Sequence, residues 1–583
     1  MMAAMDTFPE FEAVESPPPV GLVLGTDDAT PLSFWVALAP GQVLQLDDVV
    51  VTARVLPDGG RVVISGIVNQ VRARLEGARF DSDVFLVNDG VLPAEVSEAA
   101  EVLATRVAPE FYVPPLPGTP VLRATGSARD EALYFDQMAK KLPLGLGRDG
   151  HPVFLDLEFL DGTRGAHVNI SGISGVATKT SYACFLLHAL FSSGVLGAEA
   201  RNTKALIFNV KGEDLLFLDR PNTQLADEHR EVYGLLGLPA APFTSVGFFA
   251  PPRPADPAAG PNVATRKDGA VRSFFWTLHE FCTEELLPFV FADAEDDRQQ
   301  FSIIIGNVTA RLREAVPISD AGAVRIDGVD CRSYADLVDL MIERVSDDLT
   351  RPQWAGPAMV SGSVGAFIRR LAASVRPLRP LVRGDIDRPQ GHRVSTEGQQ
   401  VTVVDLHALP DRAKRFVVGV TLRREFDRKE ATGQPRPELF VVLDELNKYA
   451  PRDGSSPIKE ILLDMAERGR SLGIILVGAQ QTASEVERRV VGQSAVKIVG
   501  RLDPAEATRS EYDFLPAATR KRATIAKPGT MFVSQPQLPV PLVIEFPFPA
   551  WATRPSEAEA PPPPFLPDGR PAVPADPFSV LPS

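Results

Sequence analysis

Lys179 and Thr180 follow a glycine-containing stretch that could bind phosphate. The stretch reads SGISGVATKTS over residues 171–181, between a short apolar strand, HVNISG, and an apolar helix, TSYACFLLHALFSSG, which a glycine ends. In this setting backbone N–H groups and the helix N-terminus can hold anionic oxygens, and a lysine adds a point charge. The sequence therefore predicts a nucleotide-binding loop made of Gly172, Ser174, Gly175, Val176, Ala177, Thr178, Lys179, Thr180 and Ser181.

The spacing of this loop departs from the usual phosphate-loop pattern, G-x-x-x-x-G-K-[ST]. Anchored on Lys179, that pattern would place glycines at 173 and 178, where Ile173 and Thr178 stand instead. An ordinary junction between a strand and a helix therefore stays open as an alternative. If the loop is functional, the Thr180 hydroxyl is a predicted ligand of Mg²⁺.

Two adjacent carboxylates, Asp444 and Glu445, end another apolar strand in LFVVLDELNKYAP. A carboxylate at the carboxyl end of a strand can hold Mg²⁺ through water, which predicts a metal role for Asp444. The neighbouring Glu445 can polarise an attacking water. The alternative is a pair of solvated acids at a strand end.

A third polar feature follows in AERGRSLGIILVGAQQTAS. Here a helix ends near Arg470, an apolar strand follows, and Gln480 and Gln481 stand at the carboxyl end of that strand. Ligands of open parallel sheets bind at this edge. Three such features along one sheet predict that the chain binds ATP with Mg²⁺ and hydrolyses it.

These residues require a parallel sheet to bring them together. Short, nearly continuous apolar runs stand at 204–210, 399–406, 438–445, 473–479 and 495–500, and helical stretches separate the later ones. This pattern is typical of strands buried on both faces of a parallel sheet. The predicted fold class is therefore α/β.

The rest of the chain divides into segments of different composition. Residues 18–125 hold short β-branched strands that predict a small β-barrel. The ATPase core is predicted at 126–224 and 396–551, with a helical insertion at 225–395. Residues 1–17 and the proline-rich stretch 552–583 are predicted to be disordered tails.

Bulk composition limits the compartment and the partners. The 583 residues carry a formal net charge of −15 and contain no apolar run long enough to span a membrane. Cys184, Cys282 and Cys331 form no CxxC pair, and the N-terminus resembles no secretory signal, so the sequence predicts a cytoplasmic protein with no membrane link. An acidic chain can still gather basic residues in a channel.

Two basic features could contact DNA. Lys211 follows the strand KALIFNV at the same sheet edge, and FIRRLAASVRPLRPLVRGD over 367–385 carries five arginines. Solvated helix faces and ion pairs between subunits remain alternatives for both.

The order of these features resembles the HerA-type hexameric DNA translocases of the HerA–FtsK group. The resemblance covers about residues 18–553, and VVLDELNKYAP with ERGRSLGIILVGAQQTAS carries it best. It implies a RecA-like P-loop ATPase core, an N-terminal barrel like that of the family, and a C-terminal brace in GTMFVS…PLVIEFPFPAWAT.

The resemblance also implies roles for single residues. Lys179 would contact the β- and γ-phosphates, Thr180 and Asp444 would support Mg²⁺, and Glu445 would activate water. Gln481, eleven residues after Arg470, would sense the γ-phosphate, with Ser484 matching the serine that follows it in the family, and Arg470 would reach a neighbouring subunit's nucleotide. The longer loop, Asn447 in place of a frequent histidine and Thr482 in place of a common arginine depart from the family pattern.

The implied function is an ATP-driven homo-hexameric ring that moves double-stranded DNA. The family works with a partner nuclease of the NurA type in DNA end resection and repair, and the barrel is the expected docking platform for it. Two alternatives stay open. The ring could be an ATP-dependent assembly scaffold for an effector enzyme in antiviral defence, or a structural oligomer that binds nucleotide without turnover.

Overall fold

A computed structural model describes residues 18–76, 78, 80–93, 95–173, 179–292, 299–386 and 391–558. Residues 1–17, the loop residues 174–178 and residues 559–583 lie outside the described residues. What the sequence predicts for these residues therefore stays a prediction. Among the helices in the described ranges, none combines the length and the apolar character needed to cross a membrane.

Six antiparallel strands close into the predicted N-terminal barrel, in the order β1-β2-β5-β4-β3-β6. They are β1 (Gly21–Val23), β2 (Ser33–Leu38), β3 (Val49–Val55), β4 (Arg61–Glu76), β5 (Glu95–Ala108) and β6 (Pro120–Arg123), with helix α1 (Asp83–Asn88) between β4 and β5. Alternating positions such as Val62, Ile64 and Val102 fill its interior. The barrel is thus a small separate core built from β-branched residues.

A twelve-stranded mixed sheet forms the second part of the chain. Its strands are β7 (Lys141–Leu146), β8 (Pro152–Asp156), β9 (Val168–Ser171), β10 (Lys204–Asn209), β11 (Val246–Ala250), β12 (Val271–Ser273), β18 (Val401–Asp405), β19 (Leu439–Asp444), β20 (Ile474–Gln480), β21 (Val496–Val499), β22 (Thr530–Ser534) and β23 (Leu542–Glu545). The short strands β13 (Trp276–Thr277), β14 (Val316–Pro317), β15 (Val324–Ile326), β16 (Val329–Cys331) and β17 (Val382–Arg383) form two small separate sheets.

The order of the large sheet is β12-β11-β18-β10-β19-β20-β9-β21-β22-β23-β7-β8. Neighbours from β12 to β21 are parallel, and those from β21 to β8 are antiparallel. The strand before the predicted loop, β9, is therefore separated from the acidic strand β19 by β20 alone. The predicted α/β class is confirmed, and the five predicted core strands coincide with β10, β18, β19, β20 and β21.

Helices cover both faces of this sheet. They are α2 (Gly126–Ala132), α3 (Lys179–Ser192), α4 (Asp227–Leu235), α5 (Leu278–Thr283), α6 (Leu287–Val290), α7 (Gln299–Leu312), α8 (Tyr334–Ser346), α9 (Arg351–Trp354), α10 (Ser361–Leu378), α11 (Asp411–Thr432), α12 (Leu446–Tyr449), α13 (Pro457–Leu472), α14 (Arg488–Gly492), α15 (Ala517–Ala523) and α16 (Pro555–Ala558).

Alternate residues of the central strands enter two different cores. In β19, Leu439, Val441 and Leu443 pack into the core that α5, α8 and α11 cover. Phe440 and Val442 pack into the opposite core, beneath α3 and α4. Each fully buried side chain of this kind contributes about 1.5–3 kcal/mol. Burial on both faces explains why these strands read as unbroken apolar runs.

The segment 225–395 differs from the predicted helical insertion. It contains α4–α10, but β11 and β12 within it extend the parallel end of the central sheet, beside β18. Their short runs lie among proline-rich loops, which hid them from the strand pattern. The apolar stretch TLHEFCTEELLPFVF over 277–291 forms two helices, α5 and α6, with Glu285 between them at φ 58°.

Residues 552–558, which were predicted to belong to a disordered C-terminal tail, are structured. The Ala552 N–H donates to the Arg220 carbonyl at 2.8 Å, and the Thr553 N–H donates to the Glu557 carboxylate at 2.7 Å. Asn222 holds the preceding segment through the Pro549 carbonyl at 3.1 Å. The contacts of Ala552 with Arg220 and of Pro549 with Asn222 join segments more than 300 residues apart, and local composition cannot reveal them.

The barrel is joined to the core through Asp47. Arg522 on α15 donates to both carboxylate oxygens of Asp47, at 2.9 and 2.7 Å. Val49 and Ile67 of the barrel belong to the core beneath α3.

Candidate nucleotide site

Strands on both sides of β9 hold the start of the predicted phosphate loop. The Gly172 N–H donates to the Gln480 carbonyl at 3.2 Å, and the Ile173 N–H donates to the Arg501 carbonyl at 2.7 Å. Helix α3 then begins at Lys179, with Thr180 and Ser181 in its first turn. Ser174, Gly175, Val176, Ala177 and Thr178 lie outside the described residues. The two ends of the predicted loop are thus placed at the carboxyl edge of the sheet.

Lys179 connects these two ends. Its Nζ donates to the Gly172 carbonyl at 2.6 Å, and the residue is only 4% exposed. Burial, and then the nearby Lys211 ammonium, lower the pKa of Lys179 to about 8, against the weaker opposing effect of Asp444 and Glu445. Its positive charge is therefore under-compensated, and an anionic phosphate would stabilise it.

Asp444 gathers three donors at the same edge. The Thr180 hydroxyl donates to Asp444 Oδ2 at 2.9 Å, and Lys211 Nζ donates to the same oxygen at 2.8 Å. The Glu445 N–H donates to Asp444 Oδ1 at 2.8 Å. The sequence predicted that Thr180 and Asp444 would lie together, and the structure brings them into contact. The ion pair between Lys211 and Asp444 was not predicted.

This arrangement fits a magnesium ion. A buried carboxylate and a hydroxyl are oxygen donors of the kind that Mg²⁺ prefers, in a site that phosphate oxygens and water would complete. The Lys211 ammonium already lies against Asp444 Oδ2, so the position accepts a cation. Thr180 and Asp444 are the residues that could hold the metal.

Glu445 follows Asp444 in a left-handed conformation, with φ 57°. Such a conformation is uncommon for a residue other than glycine, and it occurs preferentially at functional sites. Its carboxylate forms an ion pair with Lys448 Nζ at 2.7 Å and is only partly exposed. The Glu445 carboxylate therefore pairs with Lys448 while the Glu445 N–H donates to Asp444 Oδ1.

The two glutamines at the end of β20 have different environments. Gln480 is fully buried, and its Nε2 donates to Asn169 Oδ1 at 2.8 Å and to Ser171 Oγ at 3.0 Å. Its Oε1 is buried without a hydrogen-bond partner among the described residues. Gln481, the predicted phosphate sensor, is exposed just beyond the strand. The sequence placed Gln480 at this strand end but not its contacts with Asn169 and Ser171, because those residues lie on β9, about 310 residues earlier in the chain.

Arg470 lies at the opposite edge of the sheet. It stands on the last turn of α13, before β20 begins, and donates to the carbonyls of Gly162 at 3.0 Å and Thr163 at 2.7 Å. The seven residues of β20 span about 20 Å. Arg470 therefore cannot reach the phosphate loop of its own chain, and its exposed guanidinium is open to a neighbour.

Ser484, which matches the family pattern, and Thr482 and Asn447, which depart from it, all have partners. Ser484 donates through its hydroxyl to Glu506 at 2.8 Å, Thr482 donates to Glu485 at 2.8 Å, and Asn447 donates to Glu485 at 3.2 Å. Thr482 and Asn447 thus meet at one carboxylate beyond the ends of β19 and β20.

The five arginines of residues 367–385, on α10, just after it and on β17, are only partly paired. Arg383 pairs with Asp385 at 2.6 Å, and Arg370 lies over the Phe301 ring at 5.0 Å. Arg369, Arg376 and Arg379 are exposed.

A second pair at the same edge was missed. Asp405 ends β18 and is fully buried, and His407 Nδ1 lies 2.8 Å from its carboxylate. Burial raises the pKa of Asp405, and the hydrogen bond to Asp405 raises the pKa of His407. The signal was available as DLH directly after an apolar strand. Asn209, which ends β10, donates to Asp405 at 3.1 Å and connects this pair to the strand beside Asp444.

His167 positions β9 against its neighbours. Its Nδ1 accepts from the Leu476 N–H at 2.9 Å, and its Nε2 lies 3.2 Å from the Ala466 carbonyl. These contacts require the neutral ring with the proton on Nε2. Burial lowers the pKa of His167 to about 4, and does the same for His188 on α3.

Acidification is therefore expected to destabilise the core. A histidine in the unfolded chain has a pKa of about 6.5. Below that pH the unfolded chain binds protons that His167 and His188 do not bind in the folded chain. The free energy of unfolding should fall between pH 6.5 and about 4, by on the order of 3 kcal/mol per histidine at the acidic end. Thermal unfolding midpoints across this range test the expectation. His167→Gln should reduce the pH dependence, whereas His151→Gln, at an exposed position, should leave it unchanged. A midpoint that stays constant from pH 7 to 4 would contradict it.

Comparison with known proteins gives structural similarity alone. No protein-family model matches the chain, and no curated protein matches its sequence. VirB4 of Thermoanaerobacter pseudethanolicus is 14% identical with a TM-score of 0.42, over 70% of this chain and 97% of the VirB4 chain. The plasmid coupling protein TrwB in complex with the non-hydrolysable GTP analogue GDPNP is 12% identical with a TM-score of 0.44, over 73% of this chain and 94% of that chain.

A smaller match is the genome packaging NTPase B204 from Sulfolobus turreted icosahedral virus 2 in complex with AMPPCP. It is 14% identical with a TM-score of 0.20, over 26% of this chain and 69% of the B204 chain. Similarity at this level does not assign a function to this chain. The function is inferred from the residues of its own site.

Proposed function

We propose that this chain is a Mg²⁺-dependent ATPase that assembles into a homo-hexameric ring and translocates double-stranded DNA. The observation that carries the ATPase proposal is the convergence at Asp444. Thr180 and Lys211 donate to the same carboxylate oxygen, at 2.9 and 2.8 Å, beside the start of the helix that Lys179 opens. Residues from three separate parts of the chain thus meet where a parallel sheet binds ligands.

Each residue has a defined task in this proposal. Lys179 leaves the Gly172 carbonyl and binds phosphate oxygens. Thr180 and Asp444 hold Mg²⁺, which when bound neutralises phosphate charge. Glu445 accepts the proton of the attacking water, and Gln481 senses the γ-phosphate. Arg470 acts on the nucleotide of the next subunit.

DNA translocation rests on the resemblance in motif order, and it is supported by basic groups at the surface. Lys211 and the exposed arginines of α10 are candidate DNA contacts in an otherwise acidic chain. The remaining expectations belong to the same proposal: a cytoplasmic location, which the three buried unpaired cysteines favour, and a NurA-type nuclease acting in DNA end resection and repair, docked on the barrel.

ATPase activity with and without linear duplex DNA tests this function, together with a mass measurement of the oligomer. A translocase should hydrolyse ATP faster with duplex DNA and have the mass of a hexamer. ATP hydrolysis at the same rate with and without duplex DNA would favour the assembly scaffold for a defence effector. Nucleotide binding without turnover would favour the structural oligomer.

Lys179→Ala is expected to lower nucleotide affinity by about 10- to 150-fold, and turnover with it. A charge-assisted hydrogen bond of the kind Lys179 would make to phosphate contributes about 1.5–3 kcal/mol. Equilibrium binding of a fluorescent ATP analogue measures the effect. Lys521→Ala, at an exposed position on α15, is the matched control. Wild-type affinity and turnover in Lys179→Ala would remove the nucleotide assignment.

Lys211→Ala is expected to reduce the Mg²⁺ concentration needed for nucleotide binding, by up to about fivefold. In the proposed site the Lys211 ammonium competes with Mg²⁺ for Asp444, and a half-exposed ion pair of this kind contributes about 0.2–1 kcal/mol. Mg²⁺ titration at fixed nucleotide, without DNA, measures the shift. An unchanged Mg²⁺ requirement combined with weaker DNA binding would instead make Lys211 a DNA contact.

A further inference from the structure

Strands β4 and β5 extend beyond the barrel as an arm, the chain segment 73–98, of which residues 77, 79 and 94 lie outside the described residues. β2 pairs with β5 only from Ala99 to Leu103, and β3 pairs with β4 only up to Ile67, so neither strand covers the arm. A ribbon of two strands is marginally stable in water by itself. The arm therefore lacks the packing that holds the rest of the barrel.

The arm exposes many apolar side chains. Phe80 is 72% exposed, Phe85 71% and Val91 70%. Val84, Leu86 and Val96 are exposed as well. Six large apolar side chains are thus exposed to solvent within residues 80–96. Exposed apolar groups at this density mark a contact surface.

A groove lies at the opposite end of the barrel. It has a volume of about 630 Å³ and is lined by residues of β3, the start of β4, and residues 116–122, which lead into β6. Val55 and Leu116 on its rim are 67% and 49% exposed. The pairing of β3 with β6 ends at Thr52, so the last three residues of β3 border the groove without a strand partner on that side.

The charges of arm and groove are opposite. The arm carries six acidic and two basic residues, a net charge of −4. The groove is lined by Arg54 and Arg61 and by no carboxylate. Arg54 Nε is buried and has no hydrogen-bond partner in the described part of the chain, although its Nη1 donates to the Pro114 carbonyl at 2.7 Å. An acidic partner would be attracted to the positive charges of Arg54 and Arg61.

The two surfaces cannot meet within one chain. Arg61 at the groove and Glu76 at the arm are the two ends of β4, which spans about 50 Å over its 16 residues. We infer that the arm of one copy docks in the groove of a second copy. Different patches of the two copies then meet, and such a head-to-tail contact closes into a ring or continues as a filament.

Selective cross-linking tests this contact in the full-length protein. The three native cysteines are all buried, so an introduced surface cysteine reacts selectively. Asn88→Cys labels the arm and Val55→Cys labels the groove, and both positions are exposed. A short bismaleimide added to an equal mixture of the two variants should give an interchain product at least tenfold above a mixture of Leu349→Cys with Val55→Cys. Asn88→Cys alone should give only this background.

The chemistry of the contact is tested by second substitutions. Phe85→Asp in the arm, or Arg61→Glu in the groove, should return the mixed product to background, while Leu349→Asp should leave it unchanged. Product at background in the first mixture overturns the inference, and so does a dominant product from Asn88→Cys alone. Product insensitive to Phe85→Asp overturns it as well.

The contact serves the ring of the proposed function but does not depend on ATP turnover. Cross-linking without ATPase activity would therefore remove the proposed function and keep the contact. ATPase activity without cross-linking would keep the proposed function and remove the contact.

Discussion

Arg470→Ala should reduce ATP hydrolysis by about 10³- to 10⁵-fold while leaving nucleotide binding intact. An arginine that stabilises transition-state charge from a neighbouring subunit contributes on this scale. Arg470 is exposed at the sheet edge opposite its own phosphate loop, so it can act only on a neighbour's nucleotide. Steady-state hydrolysis and equilibrium binding measure the two effects. Arg468→Ala is the matched control, because Arg468 is an exposed arginine on the same helix that pairs with Glu430.

Mixing variants tests whether the site is shared. Rings that contain both Arg470→Ala and Lys179→Ala subunits have some interfaces that join an intact loop to an intact arginine, so partial activity should return. Full activity of Arg470→Ala alone would leave the arginine in a structural role, holding the Gly162 and Thr163 carbonyls. Mixed rings no more active than either variant would count against a shared site. A thermal midpoint measured on Arg470→Ala distinguishes lost catalysis from lost structure.

Glu445→Gln should lower hydrolysis by about 10²- to 10⁴-fold and leave ATP bound. This is the range for a general base, and glutamine removes the proton acceptor while keeping the shape of the side chain. Asp444 still accepts from Thr180 in this variant, so the Mg²⁺ ligands remain. Single-turnover measurements with labelled ATP should recover intact ATP on the protein.

Asp444→Asn provides the contrast to Glu445→Gln. It should weaken Mg²⁺-dependent nucleotide binding, because it removes the charge on which Thr180 and Lys211 converge. If Glu445→Gln loses ATP binding and Asp444→Asn keeps it, the two carboxylates have each other's roles. Glu460→Gln, at an exposed position at the start of α13, should behave as wild type in both measurements.

The sequence alone identified the α/β class, the barrel and most of the polar positions at the sheet edge. This was possible because strands buried on both faces read as unbroken apolar runs, and because a parallel sheet places the carboxyl ends of its strands on one edge. Lys179, Thr180 and Asp444 could therefore be selected before any contact was known. The sequence singled out these three residues because each lies at the end of a strand or the start of a helix.

Pairings between distant residues were decided by the tertiary structure. The strand order brought Lys211 to Asp444, 233 residues away, because β10 and β19 are neighbours. The same order buried Gln480 against Asn169 and left Gln481 exposed. The alternation of side chains along a strand does not by itself show which of the two neighbours is buried. It also placed β11 and β12 in the central sheet and Arg470 on its far edge. Hydrogen bonding between strands depends on partners hundreds of residues apart, so no local pattern in the sequence specifies it.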